Sequence, residues 1–129
     1  MESRSREVVL VVDDEPLVRM YAADMFEDLG VEVLEARDGV EALEILERRP
    51  DVSLLFSDCR MPRMTGPELA EEASKRWPSL RIVLASGYTD VRPTRWPLIA
   101  KPYDAAILAG IAQGQPPCHA TMMAAAPRG

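Results

Sequence analysis

The sequence has few cysteines, a single histidine and no long apolar run, and each shortage excludes a class of protein. Two cysteines are too few for a disulfide framework, and the single histidine, next to Cys118, gives only two neighbouring ligands, which do not make a metal site. No apolar run approaches the ~20 residues of a membrane helix, and the polar residues 1–7 do not resemble a signal peptide. A net charge of −6 argues against independent nucleic-acid binding, which needs a basic face. We therefore expect a soluble, cytoplasmic protein that binds neither nucleic acid nor membrane.

The length of 129 residues and the apolar content of 47% suit one domain with a substantial hydrophobic core. From Gly114 onward, glycine, proline and alanine dominate. We predict a folded domain over residues 1–113 and a flexible tail over 114–129. Cys118 and His119 lie in that tail, and two ligands alone do not make a metal site.

Short apolar runs alternate with helical patterns along the chain, which predicts a doubly wound α/β fold with a parallel sheet. Pro16 suits a first helical turn and Gly30 a helix end. Asp38 and Glu41 have the spacing of a capping box. The strands are predicted at Val8–Val12, Val31–Leu34, Val52–Ser57, Leu80–Ala85 and Leu98–Ala100.

Polar residues follow the predicted strands where the strands end. The ends of parallel strands share one sheet edge, so Asp13, Asp14 and Asp58 should lie close together and repel one another unless a cation binds. Mg²⁺ prefers such oxygen ligands, and a carboxylate can attack phosphorus. Lys101 and Ser86, which follow strands five and four, can neutralise or bind phosphoryl oxygens. Each residue alone is ordinary, but all five at one edge predict phosphoryl chemistry.

Four segments carry a resemblance to bacterial response regulator receiver domains. They are Val11–Pro16, Ser57–Gly66, Leu84–Tyr88 and Lys101–Tyr103, and the similarity extends over about residues 7–113. The resemblance implies a flavodoxin-like fold with five parallel strands in the order 2-1-3-4-5. It also implies a two-component phosphorelay role, in which a histidine kinase or a histidine phosphotransfer protein donates the phosphoryl group.

The resemblance also implies a role for each site residue. Asp58 would accept the phosphoryl group, and Asp13, Asp14, Asp58 and the backbone carbonyl of Arg60 would hold Mg²⁺. Lys101 would contact the phosphoryl group and Ser86 would move toward it. The bond before Pro102 is commonly cis in the family, which would aim Lys101.

Two departures from the family pattern concern the switch. Leu98 stands where the family often has an aromatic switch residue, so Tyr88 is a candidate to cover the site instead, the alternative being that it only packs on its loop. The 14 residues between Ser86 and Lys101 are fewer than usual and include Pro93 and Pro97. The fourth helix of the fold, between strands four and five, should therefore be shortened or absent.

The last helix is a third departure, because residues 105–127 contain no charged side chain. An exposed apolar face favours a partner, so this helix and the fourth-helix region are a candidate surface for a homodimer or a kinase. The alternative is an alanine-rich helix whose small outward side chains need no partner.

We expect a receiver without an output module that signals through protein contacts and is not an enzyme, although it supports its own phosphorylation and dephosphorylation. One alternative is a Mg²⁺-dependent phosphatase with Asp13 as nucleophile and Glu15 as acid/base. The other is a receiver-fold adaptor that is never phosphorylated. Cys59, beside Asp58, is interpreted as a small packing residue.

Overall fold

The computed structural model describes residues 7–87 and 95–113. Five parallel strands form one sheet in the order β2-β1-β3-β4-β5, which confirms the predicted doubly wound fold. The strands are β1 (Val8–Val12), β2 (Glu32–Ala36), β3 (Leu54–Asp58), β4 (Arg81–Ser86) and β5 (Leu98–Ala100). The helices of the described residues are α1 (Pro16–Asp28), α2 (Gly39–Arg48), α3 (Gly66–Arg76) and α4 (Ala105–Ala112). None of them is long and apolar enough to cross a membrane.

Alternate residues of the strands build a core on each face of the sheet. Val8, Leu10 and Val12 of β1 pack toward α2 and α3, in a cluster with Leu46 and Leu69. The intervening residues of β1, Val9 and Val11, pack toward α1 and α4. Because both faces of β1 are covered, this central strand is apolar throughout rather than alternating.

The ends of the helices follow local sequence rules. Pro16 opens α1, and Gly30, with a φ of 88°, follows its end. The Asp38 side chain accepts from the Glu41 amide at 2.8 Å, but the Glu41 carboxylate binds the amide of Arg37 instead of closing the predicted capping box. The complete capping box lies at α3, where Thr65 and Glu68 bond reciprocally.

The buried face of α1 differs from the predicted stripe of Val18, Ala22, Met25 and Leu29. Ala22 is buried as expected, but Leu29 is 37% exposed, and Phe26 is fully buried. The Phe26 ring lies edge-on to Phe56 of β3 with centroids 5.4 Å apart. Phe26 therefore belongs to the buried face of α1, although the predicted stripe did not include it.

The fourth helix expected between β4 and β5 falls mainly on residues 88–94, which lie outside the described residues. The described flanks, Gly87 and residues 95–97, are not helical. A shortened or missing helix there stays a prediction.

Candidate functional site

The sheet register brings the acidic residues together. β1 ends beside β3, with Val12 opposite Ser57, so Asp13 and Asp58 leave adjacent strands at the same edge. Asp13 and Asp58 are buried, whereas Asp14 is exposed. One carboxylate oxygen from each of the three lies within 4.8 Å of the others. These residues line a polar cavity of about 520 Å³ together with Arg60 and Lys101.

Lys101 forms ion pairs with both buried aspartates. Its Nζ lies 2.7 Å from Asp58 Oδ1 and 3.2 Å from Asp13 Oδ2. Its backbone is held by a hydrogen bond from the Lys101 amide to the Ser86 carbonyl, and the bond to Pro102 is cis, as predicted. The ammonium therefore lies between two buried carboxylates.

Burial and charge act in opposite directions on this pair. Burial raises the pKa of Asp58 above its ordinary value, and the Lys101 ammonium only partly opposes the shift. Burial lowers the pKa of Lys101, but hydrogen bonds and charge from Asp58 and Asp13 outweigh it, so the net shift is upward. The ammonium form of Lys101 is thus favoured here, while burial works against the charged form of Asp58.

The loop after β3 is tied closely to Asp58. The Arg60 amide donates to Asp58 Oδ2 at 3.2 Å, and the Gly66 amide donates to the carbonyl of Cys59. A Cβ on Gly66 would lie 2.3 Å from the Asp58 carbonyl oxygen, so only glycine allows this approach. Cys59 packs against the apolar core, as interpreted from the sequence.

Of the three remaining residues singled out in the sequence, the structure describes Ser86 and Leu98 but not Tyr88. Ser86 is buried at the end of β4, at the same edge as Asp58. Leu98, at the aromatic switch position, is also buried, in the core cluster on the α2 and α3 side. Tyr88 lies outside the described residues, so its part in the site stays a prediction.

The donor set fits a small hard cation. Octahedral Mg²⁺ holds oxygens at 2.0–2.1 Å, which places neighbouring ligands about 3 Å apart and opposite ligands about 4 Å apart. Oxygens within 4.8 Å of one another need only a small adjustment to reach that geometry. The acidic residues that line the cavity, Asp13, Asp14, Glu15 and Asp58, also outnumber its basic residues, Arg60 and Lys101, which leaves negative charge for a cation to neutralise.

Two features of the site escaped the sequence analysis. Arg19 of α1 donates from Nη1 to the Asp13 carbonyl at 2.9 Å, and one arginine in a helix gives no sequence signal of such a contact. An apolar cavity of about 560 Å³ adjoins the acidic one and is lined mainly by Leu17, Val18, Tyr21, Pro102 and Tyr103. The sequence did contain an indication of this cavity, because Leu17 and Tyr21 are large apolar residues of α1 outside the predicted buried stripe.

Comparison with known proteins identifies the family. Residues 9–105 match the model of the response regulator receiver domain. The chain belongs to that family. It is therefore a phosphoacceptor domain of two-component signalling, and domains of this family bind Mg²⁺ at an acidic pocket and receive phosphoryl groups from histidine kinases or phosphotransfer proteins.

Individual relatives agree with this assignment. The chain is 42% identical over 83 residues to the sensor kinase CckA of Brucella abortus, a match that covers 64% of this chain and 9% of that protein. It is 37% identical over 81 residues to a chemotaxis protein CheY homolog of Campylobacter jejuni, covering 60% and 62%. The crystal structure of the receiver domain from hybrid histidine kinase CckA superposes with a TM-score of 0.74 at 38% identity, covering 84% of this chain and 97% of that one.

Because the chain matches only part of each full-length relative, the activities and partners of those whole proteins cannot be transferred to it. The chain spans less than two thirds of each of these two full-length proteins. The fold and the family role apply to it directly, while its own partners and the roles of individual residues require argument from its site.

Proposed function

We propose that Asp58 is the residue that accepts the phosphoryl group, with Mg²⁺ held by Asp13, Asp14, Asp58 and the backbone carbonyl of Arg60. The observation that carries this proposal is the position of Asp58, which shares both the acidic cluster and the Lys101 ammonium. Mg²⁺ supplies charge neutralisation at the phosphoryl oxygens. Lys101 supplies a second positive charge, and the hydroxyl of Ser86 supplies a hydrogen-bond donor.

The transfer step forms one bond and breaks one. An Asp58 carboxylate oxygen attacks phosphorus, the bond between phosphorus and the donor's histidine nitrogen breaks, and the electron pair leaves with that nitrogen. Positive charge around the equatorial oxygens lowers the barrier of such a transfer. Hydrolysis by water returns the free carboxylate, so the domain supports its own dephosphorylation without being a turnover enzyme.

This chain has an apolar surface next to the site that suits docking of the donor protein. Leu17 and Tyr21 of α1 are 76% and 57% exposed and line the apolar cavity together with Pro102, beside Lys101. Exposed apolar side chains around a reactive group favour protein docking. We propose that the histidine kinase or phosphotransfer protein binds there, and that Tyr88 and Pro102 belong to the part of the site that responds to phosphorylation.

The homodimer through α4 stays a separate hypothesis. The outward residues Ala105 and Ala106 are small, whereas the larger Leu108 and Ile111 are buried. This observation favours the alternative of an alanine-rich helix that needs no partner. Light scattering at high protein concentration, with and without phosphorylation, distinguishes the homodimer from the helix that needs no partner. A monomer under both conditions would contradict the homodimer hypothesis.

One experiment tests the phosphoacceptor role. The protein is incubated with Mg²⁺ and a small phosphoramidate, and the modified residue is located by mass spectrometry. We expect one alkali-labile label on Asp58, which is lost in Asp58→Asn and on chelation of Mg²⁺. The control Asp51→Asn, which changes an exposed aspartate, should label normally. Label on Asp13, or multiple turnover of small phosphate esters, would favour the phosphatase alternative.

A further inference from the structure

The peptide between the two aspartates after β1 is held by a side chain from α1. Asp13 has its amide bonded to the Ala36 carbonyl at 3.2 Å. Its carboxylate accepts from the Glu15 amide and from Lys101. Its carbonyl accepts from Arg19 Nη1 at 2.9 Å. The carbonyl contact is the one that orients the peptide plane from which Asp14 begins.

Arg19 is itself held by a second contact. Its Nε donates to Glu35 Oε1 at 3.0 Å, and its side chain is only 18% exposed. Glu35 belongs to β2 and is fixed opposite Val11 of β1 by the sheet register. The guanidinium thus connects α1, the end of β1 and the edge strand. This arrangement needs a planar group that donates in two directions, which a lysine ammonium on a flexible chain does not reproduce.

We propose that Arg19 is a positioning residue for the metal site. Its guanidinium bridges the Asp13 carbonyl and the Glu35 carboxylate, and this bridge fixes the direction in which the exposed Asp14 presents its carboxylate. The proposal rests on the proposed metal-binding role of Asp13 and Asp14. Residues that orient metal ligands without touching the metal contribute substantially to affinity.

Charge and positioning predict opposite effects when Arg19 is replaced. Arg19 is a cation near an acidic cluster, so charge alone predicts that its removal strengthens Mg²⁺ binding. Loss of positioning predicts that binding weakens. Arg19→Lys separates the two effects further, because it keeps the charge and loses the two-way contact.

The test measures Mg²⁺ affinity by isothermal titration calorimetry in wild type, Arg19→Gln and Arg19→Lys. We expect both variants to bind Mg²⁺ about 10-fold more weakly, at the low end of the range for residues that orient metal ligands. The matched control is Arg49→Gln, since Arg49 pairs with Glu32 at the other end of the same strand at 3.1 Å. It removes the same charge and a similar ion pair, and should leave the affinity unchanged.

A second readout distinguishes positioning from general damage to the fold. At low Mg²⁺ the phosphoramidate labels the Arg19 variants slowly, and at saturating Mg²⁺ the rate should return to within about twofold of wild type, as expected when only binding is weakened. Wild-type or tighter Mg²⁺ binding in Arg19→Gln would overturn the inference, and so would a defect that saturating Mg²⁺ does not repair. Failure of wild type itself to bind Mg²⁺ would instead overturn the proposed function.

Discussion

The Lys101 ammonium lies 2.7 Å from Oδ1 of Asp58, and the same nitrogen reaches Asp13 at 3.2 Å. Lys101 directly follows β5 and Asp13 directly follows β1, two strands that are separated by β3 and β4 in the sheet. The lysine side chain therefore spans the site and compensates the charge of two carboxylates. An incoming phosphoryl group would compete with these carboxylates for the same cation.

Replacing Lys101 by methionine should have opposite effects on metal binding and on phosphorylation. Without the ammonium the acidic cluster is more negative, so we expect tighter Mg²⁺ binding by calorimetry. Labelling of Asp58 should slow by about 10²-fold or more, because a positive group that faces the transferred oxygens is lost. The control is the chain's other lysine, the exposed Lys75 of α3. Lys75→Met should change neither quantity, and weaker Mg²⁺ binding in Lys101→Met would contradict the electrostatic argument.

The ionisation of Asp58 should depend on the cation. Its pKa lies above the ordinary 3.8, chiefly because of burial, so without metal its protonation midpoint should lie above that value. Added Mg²⁺ favours the charged form and should move the midpoint down. Carbon-13 NMR of the aspartate carboxyl groups measures both midpoints.

Asp51 provides the internal control for that titration. It is exposed, and its hydrogen bond with Arg49 lowers its pKa, so its midpoint should lie below 3.8 and should not respond to Mg²⁺. A common shift of Asp51 and Asp58 would indicate a bulk salt effect. An Asp58 midpoint below 3.8 without metal would show that Lys101 outweighs burial.

Gly66 should be sensitive to a single added methyl group. A Cβ there would lie 2.3 Å from the Asp58 carbonyl oxygen and 2.9 Å from Cys59 Cα, both of them backbone atoms. We expect Gly66→Ala to lower the free energy of unfolding by about 1–3 kcal/mol, the usual cost of overpacking. At Gly87 the nearest atom would be Lys101 Cδ at 3.6 Å, an ordinary contact. Urea unfolding should show Gly87→Ala much closer to wild type, and equal losses would contradict the steric explanation.

The strands and the acidic cluster were predictable because they depend on local patterns and on one topological rule. The run Val8–Val12 identifies a buried strand, and parallel strands end at one edge, so the approach of Asp13 to Asp58 follows without any coordinates. Strand ends were less certain, as in β3, where pairing with β4 extends the strand to Asp58 itself, opposite Ala85.

The contacts that sequence did not reveal depend on side-chain direction and tertiary packing. Helical spacing predicted Leu29 in the buried stripe of α1, whereas Leu29 is 37% exposed and Phe26, edge-on to Phe56, is buried instead. Leu17 and Tyr21 lie on the surface, and the Arg19 side chain reaches the Asp13 carbonyl, a contact that helical spacing does not predict. The capping-box pattern at α2 also failed to predict the partner of the Glu41 carboxylate, which accepts from the Arg37 amide instead of the Asp38 amide.

Arg63, in the loop between β3 and α3, combines an unfavourable backbone with an ion pair. Its φ is 71°, a left-handed conformation in which a Cβ is crowded. Its Nη2 lies 2.8 Å from Asp38 Oδ2 at the start of α2, and its side chain is 72% exposed. An ion pair whose arginine is exposed to solvent contributes little to stability, so the backbone should dominate the effect of replacing this residue.

Two replacements of Arg63 isolate that backbone cost. Arg63→Ala and Arg63→Gly both lose the ion pair, so their difference in urea-unfolding free energy reports the Cβ alone. We expect the glycine variant to be more stable by about 1 kcal/mol. The comparison pair Glu44→Ala and Glu44→Gly, at an exposed position in the middle of α2, should show the opposite order, because glycine is unfavourable in a helix interior. The same order at both positions would mean that the left-handed φ at Arg63 carries no cost.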